Sequence, residues 1–237
     1  MGTTLVGHDE EIRPRIVLIH AVREAIDPVR AAFKAGMPAA DVHDLLDTSL
    51  SADLAAEHAV LGVAMIERFR TLGRYAAATS AAGRRTDAIL FTCSAFGPAI
   101  EAVQRDLAIP VLKPNEAAFR EALARGTRIG LMVTFEPSLA PLRAELDALA
   151  GQAGHTIQIE PRVVPSAMAA LKAGRGAEHD ALLAEAAKSL AGADVIVVGQ
   201  FSTARAADAV AKASGRPVIT TPAAAVAQMR KTLSGHR

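Results

Sequence analysis

At 237 residues the chain has room for one large domain or two smaller ones sharing a core, and a net charge of +1 with basic residues scattered among acids argues against a nucleic-acid partner. One cysteine excludes an intramolecular disulfide framework and a Cys-rich zinc site, and the seven histidines fall in no HxxxH or HExxH spacing, so no metal is expected. An apolar fraction of 51% with only 3% aromatic residues suits many short Ala-rich helices packed closely on a sheet.

In chain order, residues 1–15 are polar and lack the apolar core of a signal peptide, and the run Ala59–Ile66 is far too short for a bilayer. These features imply a soluble cytoplasmic protein without a membrane partner, with loose ends at 1–13 and 233–237. Three runs rich in Ile, Val and Leu then read as strands buried on both faces: Arg15–Ile19, Asp87–Ser94 and Ile109–Leu112. The second half repeats them at Arg128–Val133, Asp194–Phe201 and Arg216–Ile219. The last two pairs share one offset, since 87 to 194 and 110 to 217 are both 107 residues, whereas the first pair is offset by 113.

Between the runs, Ala99–Leu107 has helical spacing after Pro98, Leu139–Ala150 and Ala177–Leu190 read as helices, and Thr203–Ala213 stops at a C-capping Gly215. Gly174-Arg-Gly176 reads as a turn. This alternation predicts an α/β fold of two similar doubly wound parallel-sheet halves, related by a pseudo-two-fold duplication, with the active site in the cleft between them. The halves are 14–113, with part of the C-terminal segment packing back on it, and 114–230. No glycine-rich phosphate loop is present, so a nucleotide cofactor is not expected.

Ligands of open parallel sheets bind beyond the carboxyl ends of the strands. Cys93 stands at such an end, and the 107-residue offset puts Gln200 at the matching point of the other half, facing it. The helix starts that follow would hold a small carboxylate and lower the pKa of Cys93, making its thiolate accessible near neutral pH. Thr92, Ser94, Thr134, Ser202 and Thr203 are hydroxyl donors at strand ends, suited to a developing oxyanion. Phe201 follows Gln200 in the same segment.

Here the chain resembles the aspartate/glutamate racemase superfamily, which includes amino-acid and hydantoin racemases, maleate isomerase and arylmalonate decarboxylase. The resemblance covers residues 14–230. It rests on Phe91-Thr-Cys-Ser-Ala-Phe-Gly97, its partner Val198-Gly-Gln-Phe-Ser-Thr203, Leu45-Leu-Asp-Thr-Ser-Leu50, Lys113-Pro-Asn-Glu116 and Thr220-Thr-Pro-Ala-Ala-Ala225. It implies a cofactor-free enzyme acting at the carbon beside a carboxylate, commonly a homodimer or higher homo-oligomer. In such racemases one thiolate removes the α-proton and a second thiol returns a proton to the opposite face. Cys93 matches the first thiol; Gln200 stands in place of the second, and an amide can only hydrogen-bond.

Three readings follow from that departure. The chain is an isomerase or racemase using Cys93 with another partner, for which His20 at the end of the first strand is the candidate. Alternatively it is a decarboxylase in which one thiol protonates the carbanion, or a binding protein for small acids without turnover. Family frequency places the isomerase first. The resemblance also puts Asp47 and Ser49 in a loop over the substrate, although either serine at 49 or 51 also suits a helix cap. Asn115 suits ligand binding or an Asx turn.

Overall fold

The computed structural model describes residues 13–58, 60–81 and 83–235, so the expected loose ends at 1–12 and 236–237 lie outside the described residues. The first half contains strands β1 (Arg15–His20), β2 (Asp41–Leu46), a small exposed hairpin of β3 (Ser80–Ala81) and β4 (Arg84–Arg85), β5 (Ala88–Phe91) and β6 (Val111–Leu112). Helices α1 (Ile26–Gly36), α2 (Ser49–Ala56), α3 (Val63–Ala78) and α4 (Gly97–Asp106) lie between them. In the second half come α5 (Glu116–Leu123), β7 (Arg128–Val133), α6 (Leu139–Gln152), β8 (Gln158–Val163), α7 (Pro165–Lys172), α8 (Gly176–Ala187), β9 (Val195–Val198), α9 (Ala207–Ser214), β10 (Val218–Thr220) and α10 (Thr221–Gly235).

The strands form two parallel four-stranded sheets with equivalent orders, β2-β1-β5-β6 and β8-β7-β9-β10. Their registers match as well. Ile16 pairs with Ala88 and Ile129 with Val195, while Ile89 pairs with Val111 and Ile196 with Val218. These equivalences reproduce the offsets of 113 and 107 residues seen in the sequence. One cause is visible at the start of each sheet. The Asp87 carboxylate accepts the Arg15 N–H at 2.6 Å, and Asp194 accepts the Arg128 N–H at 2.9 Å. An aspartate at the start of the neighbouring strand thus accepts the first strand's leading N–H in both halves, at a buried residue in one and an exposed one in the other.

The central strands are apolar because both faces are covered. Val17, Ile19, Ile89 and Phe91 pack under α3 and α4, and Gly73 allows close contact there, since a Cβ would lie 2.4 Å from Val103 Cγ1. On the opposite face, Ile16, Leu18, Ala88 and Leu90 pack with Val29 and Phe33 of α1 and with Val226 and Met229 of α10. The C-terminal helix thus covers the first sheet. In return α5, just past β6, places Phe119 and Ala122 on the second sheet. Lys113 ties the halves together, reaching Glu101 of α4 at 3.1 Å and Glu145 of α6 at 2.9 Å.

Some boundaries differ from the sequence reading. Residues 233–235 are the last turn of α10, held because Leu233 packs on the cluster around Phe33. The expected helix Thr203–Ala213 starts instead as a 3-10 segment, Phe201–Ala206, before α9; the Thr203 N–H and hydroxyl both bond to the Gln200 carbonyl and tighten the first turn. Gly215 at φ +66° ends α9 in the left-handed conformation that glycine adopts without Cβ strain.

Candidate functional site

β5 and β9 stop at equivalent points, where the Thr92 N–H bonds to Ile19 O at 3.0 Å and the Gly199 N–H bonds to Met132 O at 2.8 Å. Past these bonds the two chains leave their sheets and wall a narrow cavity of about 60 Å³. Thr92, Cys93 and Ser94 line it from one half, and Gln200, Phe201 and Ser202 from the other. The predicted facing pair therefore shares one space. Val22, Ala25, Ser51, Phe135, Met168 and Lys172 complete the wall.

Residues 67–229 match a family model described as Asp/Glu/hydantoin racemase. The chain belongs to this family. Several solved structures share its fold. A glutamate racemase from Bacillus anthracis is 13% identical with a TM-score of 0.70, over 94% of this chain and 82% of that one. An allantoin racemase from Klebsiella pneumoniae is 22% identical with a TM-score of 0.61, over 94% and 88%. A Gly74Cys mutant of arylmalonate decarboxylase, in its sulfate-associated form, is 16% identical with a TM-score of 0.62, over 94% and 95%. No curated protein matches the chain by sequence.

The thiol of this racemase-family protein differs electrostatically from the sequence expectation. Helix α4 does not begin until Gly97, and Cys93 lies before an intervening turn rather than on a helix end. Burial pushes the Cys93 thiol up to about 11, although the Ala95 N–H and the Ser51 hydroxyl beside the sulfur favour the thiolate. At neutral pH Cys93 is thus a protonated thiol, not the thiolate foreseen.

Gln200 is held rigidly. Its Oε1 accepts from the Thr134 N–H at 2.6 Å and from the Thr134 hydroxyl at 2.8 Å, while Nε2 donates to Ser138 Oγ at 3.4 Å. Thr134 and Thr203 therefore hold Gln200, one at its amide and one at its carbonyl, and do not line the cavity as oxyanion donors. Asn115 is fully buried at the start of α5, outside the cavity lining, where Nδ2 donates to Gly199 O at 2.7 Å and fixes the end of β9.

Asp47 and Ser49 also lie off the cavity. Asp47 Oδ1 accepts from the Ser49 N–H at 3.1 Å and the Ser49 hydroxyl at 2.6 Å, and Oδ2 pairs with Arg68 at 2.6 Å. Burial alone would raise the Asp47 pKa, but the Ser49 and Arg68 bonds hold it below the ordinary range. The cluster fixes the start of α2, and that helix turns Ser51 into the cavity instead. His20 is fully buried and absent from the lining; Nδ1 lies 2.8 Å from Thr92 Oγ1 and Nε2 lies 3.0 Å from Asp44 Oδ1. It meets the site only through Thr92.

Sequence reasoning missed Ser51, Lys172 and Asp44. Lys172 ends α7, whose run Ala167–Lys172 carries no polar spacing that marks a site. Asp44 lies in β2, whose polar and charged residues hid a strand that went unassigned; its partner Arg30 projects from α1. Among the described residues no His, Cys, Asp and Glu cluster is arranged to hold a metal, and no helix is long and apolar enough to cross a membrane.

Proposed function

We propose that this family member is a cofactor-free enzyme that forms a carbanion or enolate beside the carboxylate of a small acid and protonates it from one face with Cys93. The observation that carries this reading is the unequal pair across the cavity: a thiol on one wall, whose burial favours the protonated form, and a fixed amide on the other. A neutral thiol gives a proton, while an amide neither gives nor takes one near neutral pH. Decarboxylation fits these groups best, because loss of carbon dioxide produces the carbanion without a base. The thiol proton then passes to the α-carbon, and the resulting thiolate regains a proton from solvent.

Isomerisation is the second reading, favoured by the racemase family match. It requires Cys93 to lose its proton when the acid binds. Carbon dioxide release from malonate-type acids supports the lyase; α-deuterium exchange into α-substituted acids in deuterium oxide supports the isomerase. Neither reaction from a folded protein that binds such acids would reduce it to a binding protein.

Lys172 is the carboxylate anchor in this scheme. It is the one charged side chain in the lining, and no ion-pair partner is present among the described residues. A groove of about 720 Å³ shares Lys172 and Ser202 with the cavity and gives acids an entry path. The cavity itself holds about two waters at ~30 Å³ each, so entry of a larger acid requires its lining to give way. Lys172→Met is expected to raise KM about 10-fold or more with little change in kcat, as the loss of a charge-assisted bond implies. Equal KM values for the two proteins would remove Lys172 from the site.

Gln200→Cys places a second thiol opposite the first. It is expected to add α-deuterium exchange, or racemisation of product, that the parent lacks. A folded variant that binds acids but shows neither would count against the facing geometry. The reading further takes 14–113 and 114–230 as the working halves, and a cytoplasmic homodimer or higher homo-oligomer that binds neither nucleic acid nor membrane.

A further inference from the structure

Only a small part of a substrate fits between Cys93 and Gln200. A volume of about 60 Å³ is room for about two waters at ~30 Å³ each, little more than a carboxylate and its α-carbon. A larger acid extends into the groove of about 720 Å³ that meets the cavity at Lys172 and Ser202. The chemistry of these two spaces therefore limits what the α-carbon can bear.

An α-ammonium sits one bond from the reacting carbon, so its partner has to stand in the cavity wall. Among the described residues of that wall none is a carboxylate. Asp44 and Asp47, on and just after β2, stand outside it and are paired with Arg30 and Arg68. Two acceptors of the wall are already engaged, Gln200 Oε1 with Thr134 and Thr92 Oγ1 with His20. A buried cation without an opposite charge is costly, and the one charged side chain here, Lys172, repels it. Val22, Ala25, Phe135, Met168 and Phe201 make much of the remaining wall apolar.

The groove continues that apolar surface between the two halves. Ala32 of α1 faces it from one side, and Leu171 of α7, Ala204 and Pro222 from the other. Pro222 is buried and the other three are half-buried. The charges of the groove lie further out: Arg23, Asp27 and Arg205 are exposed, Glu24 is partly so, and Arg205 is held by Asp180 at 2.9 Å.

We propose that the substrate is an acid whose α-carbon carries no ammonium but an apolar substituent of several carbons, which lies in the groove between α1 and α7 while the carboxylate meets Lys172. Aspartate and glutamate, the acids in the family's description, fit this site poorly on both counts: each brings an ammonium to a wall without a carboxylate and a second carboxylate to an apolar groove. Burial of the substituent against Leu171, Ala32 and Pro222 supplies binding energy away from the reacting carbon.

The proposal rests on the reading of the cavity as the active site, but its test is binding and needs no turnover. Calorimetric titration of the wild-type protein with butyrate, pentanoate and hexanoate is expected to show affinity rising about 3- to 4-fold per methylene, as burial of each in an apolar groove implies. Norleucine, which is hexanoate with an α-ammonium, is expected to bind at least about 10-fold more weakly than hexanoate. Glutarate, with a carboxylate at its far end, is expected to bind more weakly than pentanoate. Leu171→Ser alters the groove and not the cavity wall, and is expected to flatten the series. A flat wild-type series, no binding of any of these acids to the folded protein, or a series unchanged in Leu171→Ser would overturn the proposal. Norleucine or glutarate binding as tightly as its counterpart would overturn it as well. Turnover of a Cys93 variant tests the underlying reading separately, since a fully active Cys93→Ala protein with a rising series would remove the thiol and leave the substrate class standing.

Discussion

Cys93→Ala is expected to cut turnover about 10²- to 10⁴-fold while leaving the fold and acid binding intact, the range a positioned acid–base group contributes. The fold survives because Cys93 is only partly buried and alanine introduces no strain at the turn. Binding survives because the proposed anchor is Lys172, and the cavity lining around it, Ser94 and Ser202 included, keeps its place. No second thiol exists to substitute, and Gln200 is held by Thr134 in a role without proton transfer. Steady-state assays on the acid that the wild type turns over check this, with Cys93→Ser as a second variant. A Cys93→Ala enzyme with wild-type kcat would remove the thiol from the mechanism.

The second large effect concerns what supports the thiol. Phe69 of α3 stacks on Phe91 at 5.3 Å and leans on Phe96 at 4.8 Å, and these two rings bracket Cys93 in sequence. All three are almost fully buried. Phe69→Ala is expected to cost about 3–5 kcal/mol, combining lost transfer energy with a cavity that neighbouring helices fill poorly. Gly73 and Val103 are already in close contact one turn away, so α3 and α4 have little freedom to collapse inward. Denaturant unfolding measures the loss. Activity per folded molecule should fall as well, because the Cys93 turn rests on Phe91 and Phe96. A cost under 1 kcal/mol would mean that the cluster does not support the turn.

The duplicated frame was legible because buried parallel strands write themselves as short apolar runs with acidic starts, and both copies kept the pattern. Asp87 and Asp194 do the same work at the same register. β2 and β8 escaped notice for the complementary reason. They are edge strands, partly exposed, with charges breaking up the apolar run and, in β8, Pro161 where an edge tolerates a missing N–H. Losing β2 hid Asp44, and with it the environment of His20.

The site was half legible. A shared offset brought Cys93 and Gln200 together, and the structure places both on one cavity. The hydroxyls were harder, since strand-end position does not reveal which partner a side chain takes. Thr134, Thr203 and Asn115 spend their hydrogen bonds on Gln200 and Gly199, whereas Ser51 arrives from a helix whose cap alone drew attention. Proximity to a helix start also misled the electrostatics of Cys93. The turn before Gly97 separates the sulfur from the helix end, and burial outweighs the remaining donors.

The central claim is that protonation comes from one face, by one thiol. It is tested most directly by running the productive reaction to partial conversion in deuterium oxide and analysing product and recovered substrate by mass and chiral chromatography. One deuterium per product molecule in a single configuration, with none in recovered substrate, is the predicted result. Racemic product, or deuterium in the recovered substrate, would show proton traffic on both faces or in both directions and would contradict the account.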